Sequence, residues 1–242
     1  AMRIAEHHGA KTVGIVNVEN STIAQECKNV IFTRAGKEVA VATTKAYSAQ
    51  LAAVYLLTLY LAGAANTLSQ KAVAEYVDEL KAVPDKIEQI LSEPEKIKPF
   101  ADIADKSGYI CFIGRGFDYC AAMEASLKLK EISYIPCESY AAGELKHGTI
   151  SLIDKDSLTV ALCCFKELQS KTLANINEVK ARNGKTIIVS DDGGDITIPK
   201  TKDIFVPMLE VIPMQLFAYY TAEKRGCPID KPRNLAKSVT VE

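Results

Sequence analysis

The sequence predicts an α/β protein built on parallel sheets, in two units followed by an irregular C-terminal tail. Three observations carry this. Between residues 109 and 226, short β-rich runs alternate with helical patterns, the signature of strands covered by helices on both faces. Residues 12–33 hold a smaller set of the same kind. Between the two, residues 67–105 are charged, carry Pro84, Pro94 and Pro99, and show no strand pattern. They read as linking helices, since proline suits a first helical turn better than an interior.

The elements follow in order. Met2 to Gly9 reads as the end of a helix with Gly9 as its stop, so the chain is expected to enter its first unit partway through. Thr12–Val18 (Thr-Val-Gly-Ile-Val-Asn-Val) is a short apolar run expected as a buried parallel strand. Asn20-Ser21-Thr22 caps a short helix through Cys27. Asn29–Thr33 is a second strand, and residues 34–42 form a loop. Thr43 or Thr44 then caps a long apolar helix ending near Gly63. Its stretch Leu51–Ala65 is shorter than the roughly 20 apolar residues of a bilayer span, so it is expected as a core helix with no membrane partner. In the second unit Tyr109–Ile113 is a strand, Gly114-Arg115-Gly116 a turn, and Tyr119 to about Tyr134 a helix. Leu158–Cys163 is a strand, residues 167–182 a helix, Lys185–Val189 a strand, Asp203–Val206 a short strand, and Glu210–Arg225 a helix. The domain division expected is 1–98, 99–226 and a tail at 227–242.

Composition removes several function classes. Lys and Arg total 29 against 30 Asp and Glu, with no basic run, so no nucleic-acid footprint is expected. Seven cysteines, an odd number without a Cys-x-x-Cys pair, imply free thiols and a cytoplasmic setting rather than a disulfide framework. Three histidines are too few for a metal site of several imidazoles.

Some residues are open to two readings. Glu124, Lys128 and Glu131 are spaced four and three apart and share one helix face. They are either a solvated salt-bridge stripe or part of a site at the carboxyl edge of the sheet, where ligands of open α/β sheets bind. His147, in a Gly-rich polar segment, is either an idle loop histidine or a proton-transfer group. Lys237 lies in a tail with no helix or strand pattern. The tail is either frayed or packed through Leu235, Val239 and Val241, in which case a desolvated amine could attack a carbonyl. Gly114-Arg115-Gly116 and Thr43-Thr44-Lys45 each precede a helix and offer weak anion-binding signals beside the plainer readings of a tight turn and an N-cap.

Three long segments resemble one family in order. They are Glu-Ala-Ser-Leu-Lys-Leu-Lys-Glu-Ile-Ser-Tyr-Ile (124–135), Glu-Ser-Tyr-Ala-Ala-Gly-Glu-Leu-Lys-His-Gly (138–148) and Pro-Arg-Asn-Leu-Ala-Lys-Ser-Val-Thr-Val-Glu (232–242). With Lys37–Ala46, they are similar to the isomerase half of the glucosamine-6-phosphate synthase family, which is built from sugar isomerase (SIS) domains. The resemblance implies two SIS-type doubly wound parallel-sheet domains, the first of them incomplete here. It implies an enzyme that isomerises and aminates fructose 6-phosphate with ammonia from glutamine, without metal or organic cofactor. Lys237 matches the imine-forming lysine, and Glu131 the carboxylate that moves a proton between the first two carbons. His147 matches the ring-opening histidine, which in the family enters a neighbouring subunit's site. Lys128 matches a lysine assisting proton transfer; Val41, Ala42, Thr43 and Ala236 match sugar-lining positions. Glu124 is left as a structural charge. The implied partners are a sugar phosphate, a second subunit in a homodimer, and a glutaminase domain of the same parent chain.

The family's Ser/Thr-rich phosphate loop and its cysteine nucleophile have no counterpart among these residues. Weak binding of fructose 6-phosphate by this chain alone is therefore expected. Two rival readings are an SIS-type amino-sugar deaminase or deglycase, and a sugar-phosphate-binding module without catalysis.

Overall fold

The computed structural model describes residues 1–238. The chain divides into two compact units, one of residues Ala1–Val39 with Thr43–Leu80, the other of Ala40–Ala42 with Lys81 onward.

In the first unit, α1 (Met2–His7) leads to β1 (Val13–Val16), α2 (Thr22–Glu26), β2 (Asn29–Phe32) and α3 (Lys45–Ala64). β1 and β2 pair in parallel with Val13 opposite Asn29. The Ser21 hydroxyl accepts from Ala24 N–H, the cap its sequence implied. At α3 the expected threonine cap is replaced. Thr44 stands at the cap position without a side-chain cap hydrogen bond; the Glu38 carboxylate accepts from Thr44 N (2.9 Å) and Ala46 N (3.3 Å). A carboxylate is the stronger acceptor and also opposes the helix dipole.

The expectation that α3 is a buried core helix is overturned. Only Ala46, Ala53 and Leu59 are buried, while Tyr60 is 72% and Leu61 54% exposed. Two strands cover one side of a helix only. An apolar groove of about 560 Å³ runs between Phe32 on β2 and Ala53, Leu56 and Tyr60 on α3. Among the described residues two helices are long and apolar enough to cross a membrane: α3, and Asp203–Lys224, most of which is buried inside the protein.

α4 (Gln70–Leu91) keeps Pro84 in its interior, against the expectation that prolines mark helix starts. Pro84 is exposed, so the carbonyl left unbonded one turn earlier is free to find water. Pro94 and Pro99 do occupy first turns, of a 3-10 turn (Pro94–Lys96) and of α5 (Lys98–Asp105).

The second unit adds β3 (Tyr109–Gly114), α6 (Phe117–Ser133), β4 (Cys137–Ala141), β5 (Ser157–Leu162), α7 (Gln169–Lys180), β6 (Lys185–Ser190), β7 (Ile196–Thr197) and α8 (Val206–Lys224). All five strands are parallel, in the order β4-β3-β5-β6-β7. Alternate side chains of β3 feed two cores. Ile110 and Phe112 are fully buried, and the Phe112 ring meets Phe217 of α8 edge-on at 6.4 Å. Cys111 and Ile113 join Leu145, Ile153, Ile176 and Val179 on the opposite face. Central β5 is buried at every position, as its continuous apolar run requires.

Two further expectations are corrected. Asp203–Phe205 is a 3-10 turn opening α8, not a strand, because Pro207 sets the first turn of a helix directly behind it. β4 was absent from the expected elements; its strand form comes from pairing with β3, Ile110 opposite Cys137. All seven cysteines are free. Burial pushes the Cys111 and Cys137 thiols up to about 11 and Cys163 to about 12, so these thiols stay protonated at neutral pH.

Gly114 fixes how α6 leaves the sheet. A Cβ there would lie 2.5 Å from the Asp118 carbonyl carbon and 2.7 Å from Tyr119 N. Both are backbone atoms that cannot swing aside. Gly114→Ala is expected to cost about 1–3 kcal/mol, read as a lowered urea midpoint; an unchanged midpoint would show that the helix start yields freely.

Candidate active site

The sheet order places its topological switch between the ends of β3 and β5, the usual crevice for a ligand. Here the crevice is filled from within. Asp118, fully buried in the first turn of α6, accepts from Phe165 N at 2.9 Å and Cys164 N at 3.1 Å. Arg115 is turned away, its guanidinium donating to Asn175 Oδ1 at 2.9 Å. The anion-binding reading of Gly114-Arg115-Gly116 is therefore not supported. The same holds for Thr43-Thr44-Lys45, where Glu38 already occupies the helix start.

Behind Asp118 lies Glu210 of α8, with no exposed surface and both carboxyl oxygens without a hydrogen bond. Burial first, then the neighbouring Asp118, raises the Glu210 pKa well above the ordinary carboxylate range. Burial pushes Asp118 up to about 6 against the pull of its two backbone N–H donors.

The charged face of α6 is not a solvated stripe. Lys128 is 5% exposed, with Glu124 at 14% and Glu131 at 21%. Lys128 Nζ lies 2.7 Å from Glu131 Oε2 and 3.4 Å from Glu124 Oε1. Glu131 Oε2 is buried and ion-paired, yet it receives no aligned hydrogen bond. Glu124 shares the cluster through Lys128, and burial raises its pKa against the pull of Lys128. The cluster does not lie where the sheet-edge argument put it. Glu131 is fourteen residues beyond Phe117, at the start of α6, roughly 21 Å along the helix.

Lys237 is brought to Val41. Its Nζ donates to Val41 O at 3.4 Å, while Val41 N donates to Asp230 O at 3.0 Å. Residues 196 positions apart meet because one backbone group of Val41 faces each end of the tail. Ala42 beside it is buried, and Ala236 beside Lys237 is exposed. Thr43 falls in the first unit.

The expectation that Leu235 packs the tail is corrected: it is exposed, and Val239 and Val241 lie outside the described residues. Apolar burial in the tail falls on Pro232, and polar and aromatic contacts hold the residue after it. Arg233 N donates to Tyr134 Oη at 2.8 Å, and the Arg233 guanidinium stacks 4.2 Å from the centre of the Tyr134 ring. Tyr134 ends α6 in the left-handed conformation, φ 62°. Nothing in the sequence marked this tyrosine; a left-handed cap is ordinarily a glycine. Just upstream, Arg225 Nε donates to Ser133 O at 3.1 Å, tying the end of α8 to the end of α6.

His147 closes a 3-10 turn (Ala142–His147) and is exposed. Among the described residues it makes no hydrogen bond or ion pair with Lys128, Glu131 or Lys237. No group of three or more His, Cys, Asp or Glu among the described residues is arranged to hold a metal ion.

Comparison with known proteins identifies the fold and family. The SIS-domain family pattern matches residues 1–60 and 103–222. The glutamine–fructose-6-phosphate aminotransferase [isomerizing] of Clostridium tetani is 47% identical over the whole chain, and that of Methanosarcina acetivorans 43%. The chain spans 41% of the length of these curated relatives. Among solved structures, the C-terminal domain of glucosamine-fructose-6-phosphate aminotransferase from Francisella tularensis superposes with a TM-score of 0.91 at 35% identity. That match covers 96% of this chain and 68% of the other. Glucosamine-6-phosphate deaminase from Thermotoga maritima, 24% identical with a TM-score of 0.81, covers 99% of this chain and 70% of its own; it shares the fold. The chain belongs to the SIS-domain family, and its counterpart is the C-terminal, isomerase part of the glutamine–fructose-6-phosphate aminotransferases.

Proposed function

We propose that the chain supplies the isomerase chemistry of a glutamine–fructose-6-phosphate aminotransferase, converting fructose 6-phosphate and ammonia to glucosamine 6-phosphate and water. The observation that carries this is the Lys237 amine held at the Val41 carbonyl, on a tail anchored three residues beyond the buried Glu131–Lys128 pair.

In this reading His147, reaching a neighbouring subunit's site, takes the proton of the anomeric hydroxyl as the ring opens. The Lys237 amine attacks the C2 ketone and water leaves, giving an imine. Ammonia displaces the lysine from that imine. Glu131 then takes a proton from C1 and returns it to C2, while the C1 hydroxyl proton passes to the nitrogen, leaving an aldehyde at C1 and an amine at C2. Lys128, between Glu131 and Glu124, keeps the carboxylate paired while it changes charge. Val41, Ala42, Thr43 and Ala236 line the open-chain sugar. The residue ranges 1–98, 99–226 and 227–242 serve as first SIS domain with linker, second SIS domain and imine-bearing tail. The partners are a second subunit, which receives His147, and a glutaminase domain supplying ammonia, in a soluble protein.

Borohydride tests the reading in the full-length protein. Incubation with fructose 6-phosphate and reduction should add the reduced sugar phosphate to the peptide carrying Lys237, with no label on Lys237→Ala. Undiminished labelling of that variant would sink the assignment.

A further inference from the structure

The tail that carries Lys237 has no helix or strand of its own among its described residues, and between Arg233 and Ser238 every side chain is exposed; the apolar residue buried in it is Pro232. Three contacts hold it nonetheless. Asp230 O accepts from Val41 N, Arg233 N donates to Tyr134 Oη, and Lys237 Nζ donates to Val41 O. Asn234, in the left-handed conformation at φ 61°, turns the chain between the second contact and the third. The first and third contacts both end on Val41, so they fix where the segment begins and ends; its middle is held by buried Pro232 and, at Arg233, by Tyr134.

Tyr134 is suited to that task on two counts. Its hydroxyl accepts the Arg233 N–H along the chain, and its ring face carries the Arg233 guanidinium at 4.2 Å. One side chain therefore grips one residue through backbone and side chain together. Tyr134 is itself fixed: it is the left-handed cap of α6, its N–H bonded to Lys130 O at 3.3 Å. Glu131, three residues earlier, rides on the same last turn of the helix. Three residues separate Arg233 from Lys237.

We propose that Tyr134 is a positioning residue that couples the proton-transferring helix to the imine-forming tail, setting the distance of Lys237 from Glu131. The proposal rests on the roles given above to Lys237 and Glu131. Cation–π and hydrogen-bond contacts at a partly exposed site each shift an equilibrium severalfold. Together they are expected to hold the tail closed about tenfold or more over its released form. Tyr134→Phe keeps the ring and removes the acceptor; Arg233→Ala removes the stacked cation from an exposed position and spares the core.

Amide hydrogen exchange on the 242-residue chain reads the clamp without any turnover. In Tyr134→Phe the Arg233 amide should exchange about tenfold faster, and the Val41 amide should follow as the tail loosens. Arg233→Ala should also speed the Val41 amide. Unchanged exchange at Val41 in both variants would overturn the clamp. Borohydride labelling of the full-length protein then reads the coupling. The rate of sugar trapping at Lys237 should fall severalfold in both variants, with kcat falling more than KM rises. Normal trapping beside accelerated exchange would overturn the coupling. Wild-type protein that traps no sugar while its variants loosen would instead refute the proposed function and leave the clamp standing.

Discussion

Replacing Glu131 with glutamine in the full-length protein is expected to lower kcat about 10²–10⁴-fold, the usual contribution of a positioned general base, with KM nearly unchanged. An amide of the same shape cannot take the C1 proton. The fold should tolerate the change, because Lys128 keeps Glu124 at 3.4 Å as a counter-charge. The discriminating readout is the imine. Ring opening and attack by Lys237 precede the proton transfer, so borohydride should still label Lys237 in Glu131→Gln. Turnover within tenfold of wild type would move the proton-transfer role elsewhere. Loss of the label together with turnover would show that the α6 cluster holds the tail rather than performs chemistry.

Glu210→Gln is expected to change how stability depends on pH. Both Glu210 and Asp118 have pKa values raised in the folded protein, by burial before any other cause. Unfolded, the two titrate near ordinary carboxylate values. Over the interval between unfolded and folded pKa, the native state holds more protons than the unfolded state, so stability falls as pH rises. For Asp118 the interval runs from 3.8 to about 6; for Glu210 it extends upward from the ordinary carboxylate value. The stabilising contribution is complete below the unfolded values and is lost as pH climbs through the folded ones. Glutamine removes the Glu210 proton from this balance. The variant should gain on wild type by about 1.4 kcal/mol per pH unit for as long as native Glu210 keeps its proton. Urea midpoints at pH 5, 6, 7 and 8 would show the two curves diverging. Parallel curves would mean that Glu210 ionises in the fold as readily as out of it.

The pair also explains a difference between local pattern and site. Gly114-Arg115-Gly116 looked like a place for an anion because it joins a strand to a helix. The carboxylate of Asp118 occupies that place, accepting the Phe165 and Cys164 amides across a sequence gap of nearly fifty residues. A motif scan reports the turn but not the acid that folds into it. Tyr134 is a similar case. Its place at the end of the Glu131 helix was legible, whereas its contact with Arg233, 99 residues away, has no local signal. Secondary structure shows the same division. β5 declared itself through an unbroken apolar run, while β4, with Glu138 and Ser139 in it, is a strand because β3 offers it an edge.

By itself the sequence determined the α/β alternation of the second unit, since apolar periodicity and turn residues act within a few positions of one another. It also determined that Glu124, Lys128 and Glu131 share one face of a helix, which follows from helical geometry. The tertiary structure alone decided that this face is buried, making an ionic cluster of what would otherwise be a solvated stripe. It decided that α3 exposes its apolar side, and that Lys237 meets Val41. Burial and long-range contact depend on which surfaces the folded chain brings together, and short-range spacing carries no record of that.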